Sequence, residues 1–457
     1  MTVVSKITGG FEERPNLKIS DVSCKPGMLL FLENHQPKFA AGHSNRTNSM
    51  DEINHNQSAQ PDDLRIFQAR WILPVSRPPL ANGGIAVRGG QIVQVDSIES
   101  LRADYSAPIT ELGEAVIFPA FINVHTHLDH ARPPRPPGSV LDYVTSKQQL
   151  RPREQAAERS AIIRDNISAS ERAGVIAMAD FSNDGLSCQL LGESSLYARV
   201  FIELRGFREA NAPYIIRQGL RDIQQLPATK KITCHLAPAT IWQVSPALFR
   251  EISIQERHIA IHLGMTCAER EFILSGQGRL RQFLHAYSDF EPTWEAPGVS
   301  PVDYFFTNHF FARHNILIHV VDVTSADVEI IKNAPAKANI CLCPRANRTL
   351  AMGRAPLNIL AENGLNICLG TESLLAVEDF DLRKEMQACI QEYGCTPDQV
   401  LKYATLNGAY AIGFHKEVGS LDPGKSARCL VIQNPSMPVN DPYEMVLNPD
   451  LGVSWLV

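Results

Sequence analysis

Hydrophobic and polar positions divide the chain into stretches of different character. From Asn34 to Asp63 the sequence is rich in Asn, Gln, Ser, His and Asp and almost free of large apolar side chains. Such a segment buries too little surface to offset its chain entropy, so residues 1–63 are expected to be a polar, largely disordered extension. Within it, Met28-Leu-Leu-Phe-Leu32 is the one run that reads as a strand. From Leu64 to Phe118 short apolar runs alternate with turns. Ile85–Arg88 and Gln91–Val95 flank Gly89-Gly90, a pattern that predicts a hairpin. Ala427–Ile432 is also strand-like, so both ends of the ordered chain are expected to be β-rich.

The middle carries eight apolar runs in order: Ala115–His125, Gly174–Asp180, Ala198–Leu204, Ile232–Pro238, His258–Met265, Ile316–Asp322, Asn339–Pro344 and Leu365–Glu372. Segments with helical spacing separate them. Ser245-Pro246 at the head of one supplies an N-cap and a proline for the first turn. Eight strands alternating with helices predict an α/β fold, a (β/α)₈ TIM-like barrel over residues 119–414. The alternative is an open doubly wound sheet. Its glycine fingerprint is missing after the first run, where His-Thr-His-Leu-Asp-His stands instead.

Composition narrows the partners. The chain has 457 residues and a formal net charge of -6. That charge offers no footprint for nucleic acid or an anionic membrane, so neither is expected as a partner. The apolar runs are far shorter than the roughly 18–20 residues that span a bilayer. The N-terminus lacks the apolar core of a signal peptide, and the 10 Cys are scattered with no Cys-x-x-Cys pair. A cytoplasmic protein with reduced core thiols is expected. Self-association into a homo-oligomer is left open.

Four of the 14 His fall at or near the ends of predicted barrel strands: His125 and His127 on the first, His262 on the fifth and His319 on the sixth. Glu372 closes the eighth. In a barrel these strand ends meet at one mouth. Histidines two apart on a strand point to the same side, so a His-x-His pair can grip one ion. Imidazoles plus a carboxylate suit a divalent metal, zinc first and iron second.

These residues lie in a wider resemblance. Phe118–Leu128, Ile259–Leu263, Cys343–Pro356, Leu369–Ser373, Asn407–Gly413 and Gly419–Lys425 together resemble the amidohydrolase superfamily. The branch is that of cytosine deaminase, guanine deaminase, adenosylhomocysteine deaminase and the triazine chlorohydrolases. The resemblance implies a small composite β-sandwich of residues 64–118 and 415–457 beside the barrel. It implies that His125, His127 and His262 bind the metal and that His319 stands beside the hydrolytic water. Glu372 takes the place of the usual Asp, which ligates the metal and accepts the water's proton. A small heterocyclic substrate is implied, hydrolysed at a C–N or similar bond.

Departures from the family pattern fall at one predicted site. Met265 replaces the strand-5 Glu that shuttles a proton, a loss of about 10²–10⁴-fold where general acid–base catalysis matters. Glu372 puts its carboxylate on a longer arm. Ala239 replaces a substrate-contacting His, with Trp242 nearby; Trp242, Met265 and Ala239 are expected to line a substrate pocket. The substrate should therefore not depend on a proton from strand 5. The alternative is a metal-binding pseudoenzyme or small-molecule binding protein that has lost deaminase activity. Gly419–Ser426 also fits the Walker A pattern, but a strand-like run follows it where a helix is required, so a plain turn is expected.

Overall fold

The computed structural model describes residues 63–150, 156–287, 290–433 and 438–457. The expected extension 1–63, with its strand at Met28–Leu32, lies outside the described residues except for Asp63. The described residues belong to the compact unit Gln60–Val457.

The first strands are β1 (Arg65–Ile72), β2 (Leu80–Arg88), β3 (Gln91–Ser97), β4 (Ile109–Glu111) and β5 (Ala115–Pro119). β2 and β3 pair antiparallel across Gly89 and Gly90, whose φ of 57° and 74° suit the two-residue turn. Alternation along β1 sends Ile66 into one apolar cluster, with Leu101, and Phe67 into another, with Ile117 and Val431.

The run from Ala115 to His125 is two strands, not one. Pro119 ends β5, and β6 (Phe121–Thr126) starts a different sheet. Both strands are wholly buried, so the apolar run shows no sign of the switch. β7 (Val175–Ser182), β8 (Tyr197–Leu204) and β9 (Ile232–Pro238) follow β6 in a four-stranded parallel sheet. β10 (His258–Leu263), β11 (His314–His319), β12 (Lys337–Leu342) and β13 (Asn366–Leu369) form a second one. Near-continuous burial in these strands is what parallel sheets covered on both faces require.

The ladders stop between β9 and β10 and between β13 and β6, but contacts cross both seams. Thr240 bridges to His262 at the first. At the second, the N–H groups of Thr371 and Glu372 both donate to the His125 carbonyl at 3.0 Å. Gly370 permits this approach, because a Cβ there would lie 2.6 Å from the His125 Cβ.

The connecting helices begin as the sequence indicates. Ser245 Oγ accepts from the Leu248 N–H and caps the helix Pro246–Gln255. The Gly419–Ser426 segment is a turn: Lys425 Nζ bonds back to Ser420 Oγ at 2.5 Å, and strand β14 (Cys429–Gln433) follows. β14 pairs antiparallel with β5, and β15 (Ser454–Trp455) pairs with β14, so the N-terminal sheet is completed by the C-terminal segment. The cysteines among the described residues are free thiols. No helix among those residues is long and apolar enough to cross a membrane.

Candidate metal centre

Five buried side chains meet where the C-terminal ends of the strands converge. His125 and Thr126 close β6 and His127 follows. His262 lies near the end of β10, His319 closes β11, and Glu372 stands three residues beyond β13. The His319 and Glu372 backbones lie in the left-handed region, at φ 73° and 70°. L-residues hold such angles only where the surroundings enforce them. For Glu372 the enforcing contacts are its N–H to the His125 carbonyl and the neighbouring Asn123–Thr371 hydrogen bonds.

The ligand-type atoms cluster tightly. His125 Nε2 lies 2.7 Å from Glu372 Oε2 and 3.3 Å from His262 Nε2. His127 Nε2 lies 3.2 Å from Glu372 Oε1, and His319 Nε2 3.5 Å from Oε2. Nitrogens bound tetrahedrally at about 2.0–2.1 Å from one ion sit about 3.3 Å apart, the spacing of the His125 and His262 Nε2 atoms. His125, His262, His319 and Glu372 offer atoms all within 4.8 Å of one another.

Outer contacts fix the tautomers. His262 Nδ1–H donates to the Ala239 carbonyl at 2.7 Å and His127 Nδ1–H to the Phe181 carbonyl at 3.0 Å. His319 Nδ1–H donates to Asn347 Oδ1 at 2.7 Å. Each leaves Nε2 as a lone pair facing the cluster, and the Nε2 atoms of His127 and His319 are buried without a hydrogen-bond partner. Burial pushes His125 and His127 below the usual imidazole range and His262 down to about 3. Burial opposes ionisation of Glu372, but His125 and His127 beside it hold its carboxyl well below the usual range. Neutral imidazoles around a carboxylate are the donor set for a divalent metal.

A cavity of about 140 Å³ opens beside the cluster. His262 and Met265 line it from β10 and the turn after it, Tyr143 and Lys147 from the helix Val140–Leu150. Glu203 and Arg205 enter from the end of β8, Thr240 and Gln243 from the segment after β9. Arg205 lies 2.6 Å and Lys147 3.3 Å from Glu203 Oε2. Burial works against the charge on Glu203, yet Arg205 and Lys147 keep it well below the ordinary carboxyl range. Of the three residues expected at a substrate pocket, Met265 lines this cavity. Ala239 is buried and gives its carbonyl to His262. Trp242 does not line the cavity and packs edge-on against Phe283, with ring centroids 5.9 Å apart.

Residues 116–450 match the model of the amidohydrolase family. The chain belongs to the amidohydrolase family. That membership makes it a hydrolase of the type that acts on carbon–nitrogen bonds. A 5-methylthioadenosine/S-adenosylhomocysteine deaminase of Moorella thermoacetica is 26% identical over 395 residues, 81% of this chain and 86% of that protein. Among solved structures, the aminofutalosine deaminase of Helicobacter pylori in complex with methylthio-coformycin superposes with a TM-score of 0.75. It is 21% identical and covers 85% of this chain and 97% of its own. A zinc-complexed atrazine chlorohydrolase from Arthrobacter aurescens superposes with a TM-score of 0.68 at 14% identity, over 84% of this chain and 90% of its own.

Sequence reasoning missed Tyr143, Lys147, Glu203 and Arg205. A signal existed for two of them. Glu203 and Arg205 sit two apart at the end of a predicted strand, the same placement that singled out His125 and His127. Tyr143 and Lys147 lie on a helix after a Pro-rich loop and carry no comparable mark.

Proposed function

We propose that the chain is a metal-dependent hydrolase that uses activated water to displace an amine, or a comparable leaving group, from a small heterocycle. The observation that carries this reading is the convergence of His125, His262, His319 and Glu372 on one buried point beside a cavity, with His127 Nε2 3.2 Å from Glu372 Oε1. His125, His127 and His262 would hold the ion, with Glu372 in or beside its shell; the donors favour zinc over iron. When bound, the ion supplies Lewis acidity that brings the pKa of a water from 15.7 to about 7. Glu372 receives the water's proton. His319, oriented by Asn347, steadies charge developing on the attacked ring. Glu203, Thr240 and Gln243 present acceptors and donors to ring heteroatoms. The cavity is smaller than the roughly 300–1,000 Å³ of sites for drug-sized ligands, so the reacting ring is the part it encloses.

The same reading joins the two parallel sheets into one eight-stranded barrel over residues 119–414, supported by the contacts across both seams. Residues 64–118 and 415–457 then form the accessory sandwich, and the protein works in the cytoplasm.

Met265 favours a second reading. It places a thioether, which carries no proton, where the deaminase branch has a carboxylate. On that reading the chain binds a heterocycle without turning it over. Steady-state ammonia or chloride release by zinc-loaded protein, across a purine, pyrimidine, pterin and triazine panel, separates the two. Turnover that disappears in Glu372→Gln supports hydrolysis. Saturable binding without turnover supports the second reading.

A further inference from the structure

The opposite ends of the same strands form a second recess, of about 720 Å³. Its walls carry Arg199, His258, His314, Lys332, Lys337 and His415, and no Asp or Glu among the described residues that line it. In a chain of net charge -6 the recess thus gathers three cations, Arg199, Lys332 and Lys337, and three imidazoles. Register creates it. His258, His314 and Lys337 are successive partners at the starts of β10, β11 and β12, so all three project on one face. The His258 and His314 rings stack 4.8 Å apart.

Arg199, on β8, is the most informative member. Its side chain is buried, at 7% exposure, and no carboxylate among the described residues lies within ion-pair distance of it. Its Nε donates to the Ile412 carbonyl, at the C-terminal end of the helix Leu406–Ile412, and its Nη1 lies 3.1 Å from His235 Nε2. The carbonyl offsets part of the cost of burying a guanidinium. A buried cation normally has a direct counter-charge; here Glu256 acts on Arg199 only from beyond His235, whose Nδ1 lies 2.8 Å from Glu256 Oε2. The crowding shows on its neighbour: burial, then the charges of Arg199, His235, His314 and Arg257, push His258 down to about 3.

We propose that this recess binds a small anion through a phosphate group, held by Arg199, His258, His314 and Lys337. Arg199 and Lys337 bring two cations and the His258 and His314 rings bring N–H donors to one opening, a set that suits a multivalent oxyanion better than a single carboxylate. At its rim Tyr410, 53% exposed, stacks on His415 with centroids 4.3 Å apart. That pair offers a flat surface to an aromatic base attached to the phosphate. The recess is separate from the metal centre: His258 and His262 are four residues apart on β10, about 13 Å along an extended strand.

The test is calorimetric titration of the full chain at low ionic strength with inorganic phosphate and, separately, with adenosine monophosphate. The variants are Lys337→Glu, on an exposed position, and the double variant His258→Gln/His314→Gln. Saturable binding that weakens about tenfold or more in Lys337→Glu, with the melting temperature unchanged, supports the proposal. Tighter binding of the nucleotide than of phosphate identifies a nucleotide ligand; equal affinity identifies the free oxyanion. Binding equally strong in both variants would place the anion elsewhere and overturn the proposal. So would no saturable heat up to about 10 mM, a range in which a Kd near 1 mM is readable.

Discussion

Tyr143 Oη donates a 2.5 Å hydrogen bond to Glu372 Oε1, while the other carboxylate oxygen lies 2.7 Å from His125 Nε2. The two contacts leave the carboxylate little freedom to rotate. Burial, and then the Glu372 charge, push the Tyr143 phenol well above its ordinary range, so it remains a donor at any working pH. It also contacts Ser373 Oγ at 3.0 Å.

Tyr143→Phe keeps the ring and removes the donor. Partners that orient a metal-site carboxylate typically contribute 10–100-fold in affinity or activity. The variant is therefore expected to lose about 10–100-fold in kcat or in zinc affinity with little change in melting temperature. Steady-state kinetics and a competitive zinc titration measure both. No change in either would show that the carboxylate is held by other contacts.

Trp242 and Gln243 are neighbours with opposite surroundings. Trp242 is packed in the core against Phe283, and Gln243 lines the cavity. Trp242→Ala is expected to cost about 3–5 kcal/mol of stability, the usual range for emptying a buried aromatic site. Gln243→Ala should raise KM while leaving the denaturation midpoint nearly unchanged. Denaturant titration and KM measured on both variants check this; the reverse pattern would return Trp242 to the pocket.

Met265 lines the cavity beside His262 and is 4% exposed. Met265→Glu supplies the acid that the deaminase branch carries there. Ammonia release from an aminated heterocycle is expected to rise by up to about 10²-fold. Glu203 lines the same cavity, so repulsion between the two carboxylates limits the gain. Fast deamination by the unmodified chain, with no gain in the variant, would show that another group delivers the proton.

Glu269 connects the strand-5 turn to pH. Its Oε1 accepts from the Gly264 N–H at 2.6 Å, and its Oε2 is buried without a partner. Burial raises the carboxyl to about 8, against 4.5 as the reference value. The folded chain therefore binds the proton more tightly than the unfolded chain does. Stability from this group is fully present below about pH 4.5 and is lost as pH rises towards about 8, by up to about 1.4 kcal/mol per pH unit. Glu269→Gln keeps an acceptor for Gly264 and removes the titration. Its melting temperature should exceed that of the unmodified chain increasingly between pH 5 and about 8. A constant difference across that range would contradict the assignment.

The strand-end histidines were legible because each closes an apolar run, and strand alternation fixes which way its side chain points. Glu372 was legible for the same reason, although nothing in the sequence indicates its left-handed backbone, which arises from contacts with β6. Continuous burial on both sides of Pro119 leaves the apolar run without a mark of the change of sheet, so the boundary at 118/119 rests on the family resemblance. Tyr143 and Lys147 were hidden because the helix that carries them reaches the cavity through a loop whose route is set by tertiary packing. Trp242 was expected in the pocket because it lies three residues from Ala239, but it packs against Phe283 while its neighbour Gln243 lines the cavity.

The most direct test of the metal centre is elemental analysis of the chain purified without added metal, beside His262→Ala. One equivalent of zinc per chain is expected, falling to a small fraction in the variant while the circular dichroism spectrum is retained. A metal-free chain whose folding is unaffected by His262→Ala, or full metal content in the variant, would contradict the centre built from His125, His127, His262 and Glu372.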